Sequence, residues 1–422
     1  MNPDPTPAPA PRRGDGPLVV IAPDALAHPQ AAREITERAL RARGLAGEQA
    51  FPASAEEMHR LVRSAGAGGE TEVIAVPGPE GAPPQWGADV IRVDFGPCPP
   101  DPSPEVAVHI RGRGPDGLRF AVDSWYHRRF HPAAVHAYGG HPDQRAELRV
   151  PAGDGPFPVA VLIHGGYWRS RWGADLMDAA ATDLTARGHA TWNIEYRRPD
   201  EHGWTATTSD VAAALSAVAS VPGAHRLDLD RVVVLGHSAG GQLALRAAAD
   251  AAGDTVAGSE AAGASRAAGD AAPAVGTTGA TAAGAPVGSP HRGARARARV
   301  RPALAVSLAG VLDLPLGDRR WLSEGAVSSA IGGRHDELPE VYAASSPTHR
   351  LPLGVPQLVV CCTGDDPTLL EISRAHAARA SATTDRVDVV EAPGDHFDVI
   401  DPASPVWHRI CAAIAPPSAS GG

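Results

Sequence analysis

Gly236-His237-Ser238-Ala239-Gly240-Gly241 is the stretch from which the rest of the chain is best read. Before it stands Arg231-Val232-Val233-Val234-Leu235, apolar and β-branched, the signature of a short buried strand. After it stands Gln242-Leu243-Ala244-Leu245-Arg246-Ala247-Ala248-Ala249, rich in strong helix formers. The pattern predicts a strand that turns abruptly into a helix, with Ser238 held in a strained conformation at the turn and its hydroxyl lifted above the strand ends. A bare G-x-S-x-G run recurs by chance. The strand before it and the helix after it favour a nucleophile turn over an ordinary glycine-rich one.

A serine hydroxyl is a weak nucleophile at neutral pH and needs a base within hydrogen-bond reach and a third group to orient that base. For this kind of turn the acid and then the histidine follow the serine along the chain. Of the 18 histidines, His396 is the favoured base, because Glu391-Ala392-Pro393-Gly394-Asp395-His396 directly follows the last predicted strand. The acid is expected after the preceding strand, where Val359-Val360-Cys361-Cys362-Thr363-Gly364-Asp365-Asp366 offers two carboxylates. Asp365 is preferred, leaving Asp366 to cap the loop or face solvent. A tetrahedral oxyanion needs backbone N–H donors set in advance. Ala239 is one candidate. Gly165 and Gly166, which follow the predicted strand Pro158 to Ile163, are the others, because backbone without a Cβ lets a substrate approach closely. His164 is read as structural.

The 422 residues allow about two domains, and 43% hydrophobic residues allow a large core. A net charge of -10 with dispersed arginine argues against a general nucleic-acid binder. No stretch approaches the ~20 apolar residues of a membrane span, and the proline-rich start has no apolar signal core, so a cytoplasmic protein is expected. Residues 1–16 read as a disordered tail, 17–128 as a small α/β domain, 129–142 as a connector and 143–416 as the domain carrying Ser238. Residues 251–298, dominated by Ala, Gly, Ser and Thr, read as a disordered insertion that cannot bury enough surface to offset chain entropy. The basic run Arg292 to Arg297 is read as solvated loop. The histidines His127, His131, His136 and His141 invite a metal reading, but their spacing follows no ligand pattern. The four cysteines are read as free thiols. No metal and no organic cofactor is expected.

His164-Gly165-Gly166-Tyr167-Trp168 together with Gly236-His237-Ser238-Ala239-Gly240-Gly241 resembles the kynurenine formamidase and carboxylesterase branch of the α/β-hydrolases, with hormone-sensitive-lipase-like esterases as relatives. The resemblance spans about Asp143 to Ile414. It implies an α/β-hydrolase fold, with a mostly parallel central sheet and helices on both faces, and Ser238, Asp365 and His396 as catalytic triad. Cys362 departs from the glycine usual in that family. A shorter stretch, Val108 to Ala121, is similar to the last strand and helix of type II dehydroquinate dehydratases. That family's active-site loop is missing, so the resemblance implies a degenerate, non-catalytic flavodoxin-like domain. The reading is therefore a serine hydrolase of small esters or aryl formamides. A non-catalytic ligand-binding protein on the same scaffold and a peptidase of the same fold are the alternatives. Tyr167, Trp168, Trp172, Trp204 and Trp321 are candidates to line an aromatic acyl pocket.

Overall fold

The computed structural model describes residues 16–22, 25, 29–67, 73–78, 86, 90–98, 108–267 and 300–415, with 66–67 and 254–267 as backbone only. The proline-rich start, the Arg292–Arg297 run and the C-terminal tail lie outside the described residues, as does the greater part of the Ala/Gly-rich insertion.

Five short strands, β1 (Leu18–Ile21), β2 (Glu48–Ala50), β3 (Val73–Val76), β4 (Val90–Asp94) and β5 (Val108–Arg111), form a first sheet. It is parallel throughout, in the order β2-β1-β3-β4-β5. That is the flavodoxin-like order. Its central strands β1 and β3 are apolar on both sides, as a parallel sheet covered on two faces requires, while β2, β4 and β5 carry polar residues. Ile21, Ile74, Val93 and Ile110 pack beneath the helices Pro29–Ala42 and Gly117–Phe130. Val20, Val73 and Ala75 point the other way, toward Met58 and Val62 of the helix Ala55–Ala67.

The second sheet has eight strands: β6 (Ala134–Ala137), β7 (Arg145–Arg149), β8 (Phe157–Ile163), β9 (Ala190–Ile194), β10 (Leu227–His237), β11 (Leu304–Leu308), β12 (Gln357–Cys362) and β13 (Val387–Ala392). Their order is β6-β7-β9-β8-β10-β11-β12-β13. The pairs β6–β7 and β7–β9 are antiparallel; every other pair is parallel. Alternate residues supply two cores, since side chains in a strand point to opposite faces. Val159, Val161, Val232, Val234 and Val359 face the helices Trp204–Ala217, Ala239–Ala267 and Pro367–Ser381. Ala160, Leu162, Val233, Leu235 and Val360 face Asp178–Ala186 and Pro405–Ile414. The crossovers place the turn after β10 at the middle of the sheet, on the carboxyl edge, where open α/β sheets bind ligands.

Two readings of the chain's organisation change. The connector 129–142 contains β6, paired antiparallel with β7. Three of its four residues are exposed, so the strand carried no apolar alternation to announce it. The helix after Ser238 runs on to Ala267, past residue 251, where the insertion was expected to begin. Alanine cannot build a core, yet it is the strongest helix former, and the helix already started supplies the nucleus. All four cysteines are free, and Cys361, Cys362 and Cys411 are buried.

Candidate active site

Ser238 sits between the last residue of β10 and the first of the helix Ala239–Ala267, with φ of 55°. A left-handed conformation is costly for a residue with a Cβ and persists only where its surroundings hold it. Here the Ser238 N–H donates to Leu308 O at 2.8 Å, at the end of the neighbouring β11, while the Ser238 carbonyl accepts from Gly241 N at 2.9 Å and Val311 N at 3.3 Å. The flanking glycines are dictated by space. A Cβ on Gly236 would overlap the Gly240 carbonyl, and one on Gly240 would overlap the carbonyls of Ile163 and His164.

Asp365 and His396 come from two loops that close on each other beyond β12 and β13. Thr363 N donates to Ala392 O at 2.9 Å and Gly364 N to Gly394 O at 2.9 Å, carrying the strand pairing past the sheet edge. Asp395 Oδ1 accepts from Phe397 N at 2.7 Å, a turn that swings His396 inward. His396 Nδ1 then meets Asp365 Oδ2 at 2.8 Å, with Asp365 4% exposed and His396 20% exposed at the side chain. Asp366 has a different job: it caps the helix Pro367–Ser381, accepting from Thr368 N at 2.7 Å. No hydrogen bond joins Ser238 Oγ to His396 among the described residues; His396 is tied to the turn through His237. That residue is buried, its ring lies 4.8 Å from the His396 ring, and its Nε2 donates to His396 O at 3.0 Å. Burial, and then the neighbouring His396, lower the His237 imidazole to about 3, so it stays neutral. Its role was missed from sequence, because its partner carbonyl stands 159 residues away.

The loop after β8 carries Gly165 and Gly166. The N–H groups of Gly165, Gly166 and Ala239 donate to no protein acceptor among the described residues. Gly165 lies against the elbow: a Cβ there would stand 2.6 Å from His237 O and 2.8 Å from Ser238 Cβ. Glu195, just past β9, holds both ends of this loop. Its Oε1 accepts from His164 Nε2 at 3.1 Å and its Oε2 from Ala174 N at 3.0 Å. His164 itself is buried, stacked at 4.4 Å on Tyr196, whose hydroxyl donates to His164 O at 2.9 Å. Burial opposes the charge on Glu195, but Arg198 and then His164 outweigh it and hold the carboxyl below the usual carboxylate range. Nothing in the local sequence marked Glu195 for this task.

The aromatic candidates divide. Trp168 and Trp204 are core, packed edge to face at 5.8 Å, with Trp168 Nε1 donating to Gln242 Oε1 at 3.2 Å. Trp321 is 55% exposed. Tyr167 is half-buried, and burial together with Asp366 and Asp365 raises its phenol to about 12, which sets it beside the Asp365 loop. Phe397, 46% exposed next to the His396 ring, was not anticipated as a candidate. A cleft of about 420 Å³, lined by Leu229, Asp230, Val300, Arg301, Gly354 and Pro356, opens at the amino ends of β10 to β12, the far edge of the sheet from Ser238.

Two groups of potential metal ligands occur among the described residues, Asp94 with Cys98 and His109, and Asp143 with His141 and His202. In the first, Arg92 already holds Asp94 Oδ2 at 2.6 Å, and burial, then Asp94, push the Cys98 thiol up to about 11. In the second, Arg198 holds Asp143 at 3.1 Å. Of the four histidines singled out by sequence, only His141 belongs to such a group; His127 instead meets Thr182 Oγ1 at 3.0 Å.

Residues 148–272 match the BD-FAE family model. A probable isoprenylcysteine alpha-carbonyl methylesterase of Arabidopsis thaliana is 32% identical over 110 residues, 25% of this chain and 25% of that protein, so the chain spans a quarter of that relative's length. Among solved structures, a truncated carbohydrate esterase from gut microbiota superposes with a TM-score of 0.50 at 15% identity, covering 67% of this chain and 95% of that one. Esterase B from Lactobacillus rhamnosis gives 0.49 at 19% identity, covering 66% and 84%. The eight-stranded sheet with helices on both faces has the α/β-hydrolase fold. Among the described residues no helix is long and apolar enough to cross a membrane.

Proposed function

We propose that the chain is a serine hydrolase that cleaves small carboxylic esters, or aryl formamides, through an acyl-serine at Ser238. The observation that carries this is the 2.8 Å pairing of His396 with a buried Asp365 beside a serine held at φ 55°. In this reading His396 takes the Ser238 proton as Oγ attacks the carbonyl carbon. Asp365 orients the imidazole through Nδ1 and stabilises the imidazolium. The oxyanion is received by the N–H groups of Ala239, Gly165 and Gly166. Collapse of the intermediate expels the alcohol or amine, which takes its proton from His396. Water, deprotonated by the same base, then releases the carboxylic acid and restores Ser238. The Ser238–His396 hydrogen bond is the step left for substrate to complete, as is common before substrate binds. The relatives matched by sequence and by structure are named esterases, which favours esters over formamides.

The test is labelling by a fluorophosphonate probe, together with turnover of a panel of short-chain p-nitrophenyl esters and N-formyl aromatic amines. Wild type takes up one probe at Ser238 and hydrolyses at least one ester, while Ser238→Ala does neither. A folded wild-type protein that takes no probe and turns over no member of the panel sinks the reading and leaves the non-catalytic binding protein.

A further inference from the structure

Arg113, just beyond β5 of the five-stranded sheet, reaches into the oxyanion loop of the other one. Its guanidinium grips Asp175 with both terminal nitrogens, at 2.5 and 2.9 Å, and its Nε donates to Arg171 O at 2.7 Å. The two charged side chains are 3% and 8% exposed, so this is a desolvated pair. The same guanidinium lies over the Trp172 ring at 4.6 Å and the Phe120 ring at 4.8 Å, and those two rings meet edge to face at 5.4 Å. Trp172 in turn fills the space beside Gly166: a Cβ on Gly166 would overlap Cβ, Cγ and Cδ1 of Trp172. Gly166 has φ of 106°, a conformation that needs both the missing side chain and something to press against.

From this contact chain, Arg113 to Trp172 to Gly166, we infer that the five-stranded unit is a working part of the hydrolase site, with Arg113 and Trp172 as positioning residues for the oxyanion donors. The inference rests on the function proposed above. Glu195 ties the loop at His164 and Ala174, its two ends; Arg113 and Trp172 fix what lies between. Arginine suits the post because three of its N–H groups are spent on Asp175 and Arg171 while its flat face covers two rings. Lysine, a point charge on a flexible stem, cannot do both.

The test uses the full chain with a short-chain p-nitrophenyl ester. Arg113→Lys and Trp172→Leu each lower kcat and kcat/KM together by about 10- to 100-fold, with KM within about threefold, because the donors act on the transition state and small misplacements are costly there. Trp172→Leu leaves the Arg113–Asp175 pair whole and serves if the arginine variant does not fold. Thr182→Val, which removes the His127 contact elsewhere on the same interface, leaves kcat unchanged. Folded Trp172→Leu with wild-type kcat, or a rise in KM alone, overturns the inference. If Ser238→Ala keeps the wild-type rate, the proposed function fails. If it is inactive while Arg113→Lys and Trp172→Leu are fully active, only the positioning role fails.

Discussion

Replacing Glu195 by glutamine swaps one carboxylate oxygen for an NH2 group at nearly constant volume, and the structure gives that group nowhere to go. Oε1 accepts from His164 Nε2 at 3.1 Å, from Tyr196 N at 3.1 Å and from Arg198 Nη1; Oε2 accepts from Ala174 N at 3.0 Å. Every partner is a donor, so either placement of the amide sets N–H against N–H. The side chain is 6% exposed, and water cannot take over. Losing a charge-assisted bond costs about 1.5–3 kcal/mol and orphaning a buried donor about 1–3 kcal/mol. Arg198 keeps Asp143 at 3.1 Å, which spares the full penalty of an unpaired buried charge. Glu195→Gln should therefore lose about 3–5 kcal/mol at neutral pH, read as a lower urea midpoint at unchanged slope. Because the freed loop carries Gly165 and Gly166, kcat on an ester should fall roughly tenfold or more. The pH dependence has a fixed sign. Burial opposes ionisation of Glu195, but Arg198 and His164 depress its pKa, so the stability it confers is present above the unfolded value of about 4.3 and is lost as the pH falls below that toward the folded value. The gap between wild type and variant should close in acid. A variant within about 1 kcal/mol of wild type at pH 7, with unaltered kcat, would refute the claim that this carboxylate holds the loop.

Asp365→Asn should lower kcat by about 10⁴-fold, the cost of the wrong imidazole tautomer. Asp366→Ala should cost about 1 kcal/mol of stability through the lost helix cap and leave kcat near wild type, so the two substitutions assayed side by side separate the roles of these adjacent carboxylates. Gly240→Ala drives a methyl into two backbone carbonyls that cannot move, and should destabilise by about 4 kcal/mol or more, seen as loss of soluble folded protein or a collapsed melting temperature. His127, His237 and His376 are buried, and burial lowers them to about 3, 3 and 4, assisted by Arg43, His396 and Arg379 respectively. With folded values below the unfolded ~6.5, their contribution is present above pH ~6.5 and is lost as the pH falls, at up to about 4 kcal/mol per pH unit for the three together. Melting temperature should drop steeply between about pH 6 and 4.5, and His376→Gln should make that drop shallower; an identical slope would remove His376 from the account.

What was legible in the sequence was local. Val232–Leu235, the glycines around Ser238 and the alanine-rich continuation each fix neighbouring backbone, so strand, turn and helix could be read together. Strands alternating with helices announced a small α/β unit, and the resemblance of Val108 to Ala121 to a dehydroquinate dehydratase implied the flavodoxin-like order that the first sheet has. The strand Ala134–Ala137 was not legible, because an exposed edge strand needs no apolar alternation. Trp168, a pocket candidate in the sequence, is buried: an aromatic residue beside a glycine pair reads alike whether it faces substrate or core, and its packing against Trp204 and its bond to Gln242 emerge only from the fold.

The same distinction explains which site residues could be named in advance. Asp365 and His396 were named as candidates by chain order, since each follows a strand of the central sheet and parallel neighbours deliver their next loops to the same edge, and the two side chains meet at 2.8 Å. The residues that hold them are tied across distance. His237 reaches a carbonyl 159 residues on, Glu195 spans a loop that begins 31 residues before it, and Arg113 grips a carboxylate 62 residues away, in the turn that follows the loop after β8. A lone buried acid or arginine has no motif; its meaning is its partner. Candidate reactive groups are therefore readable from order and turn chemistry, while the side chains that set their positions emerge only from the fold. In this chain part of that support comes from a five-stranded unit whose own sequence shows no hydrolase motif, and Arg113 is where the two sheets would share one chemistry.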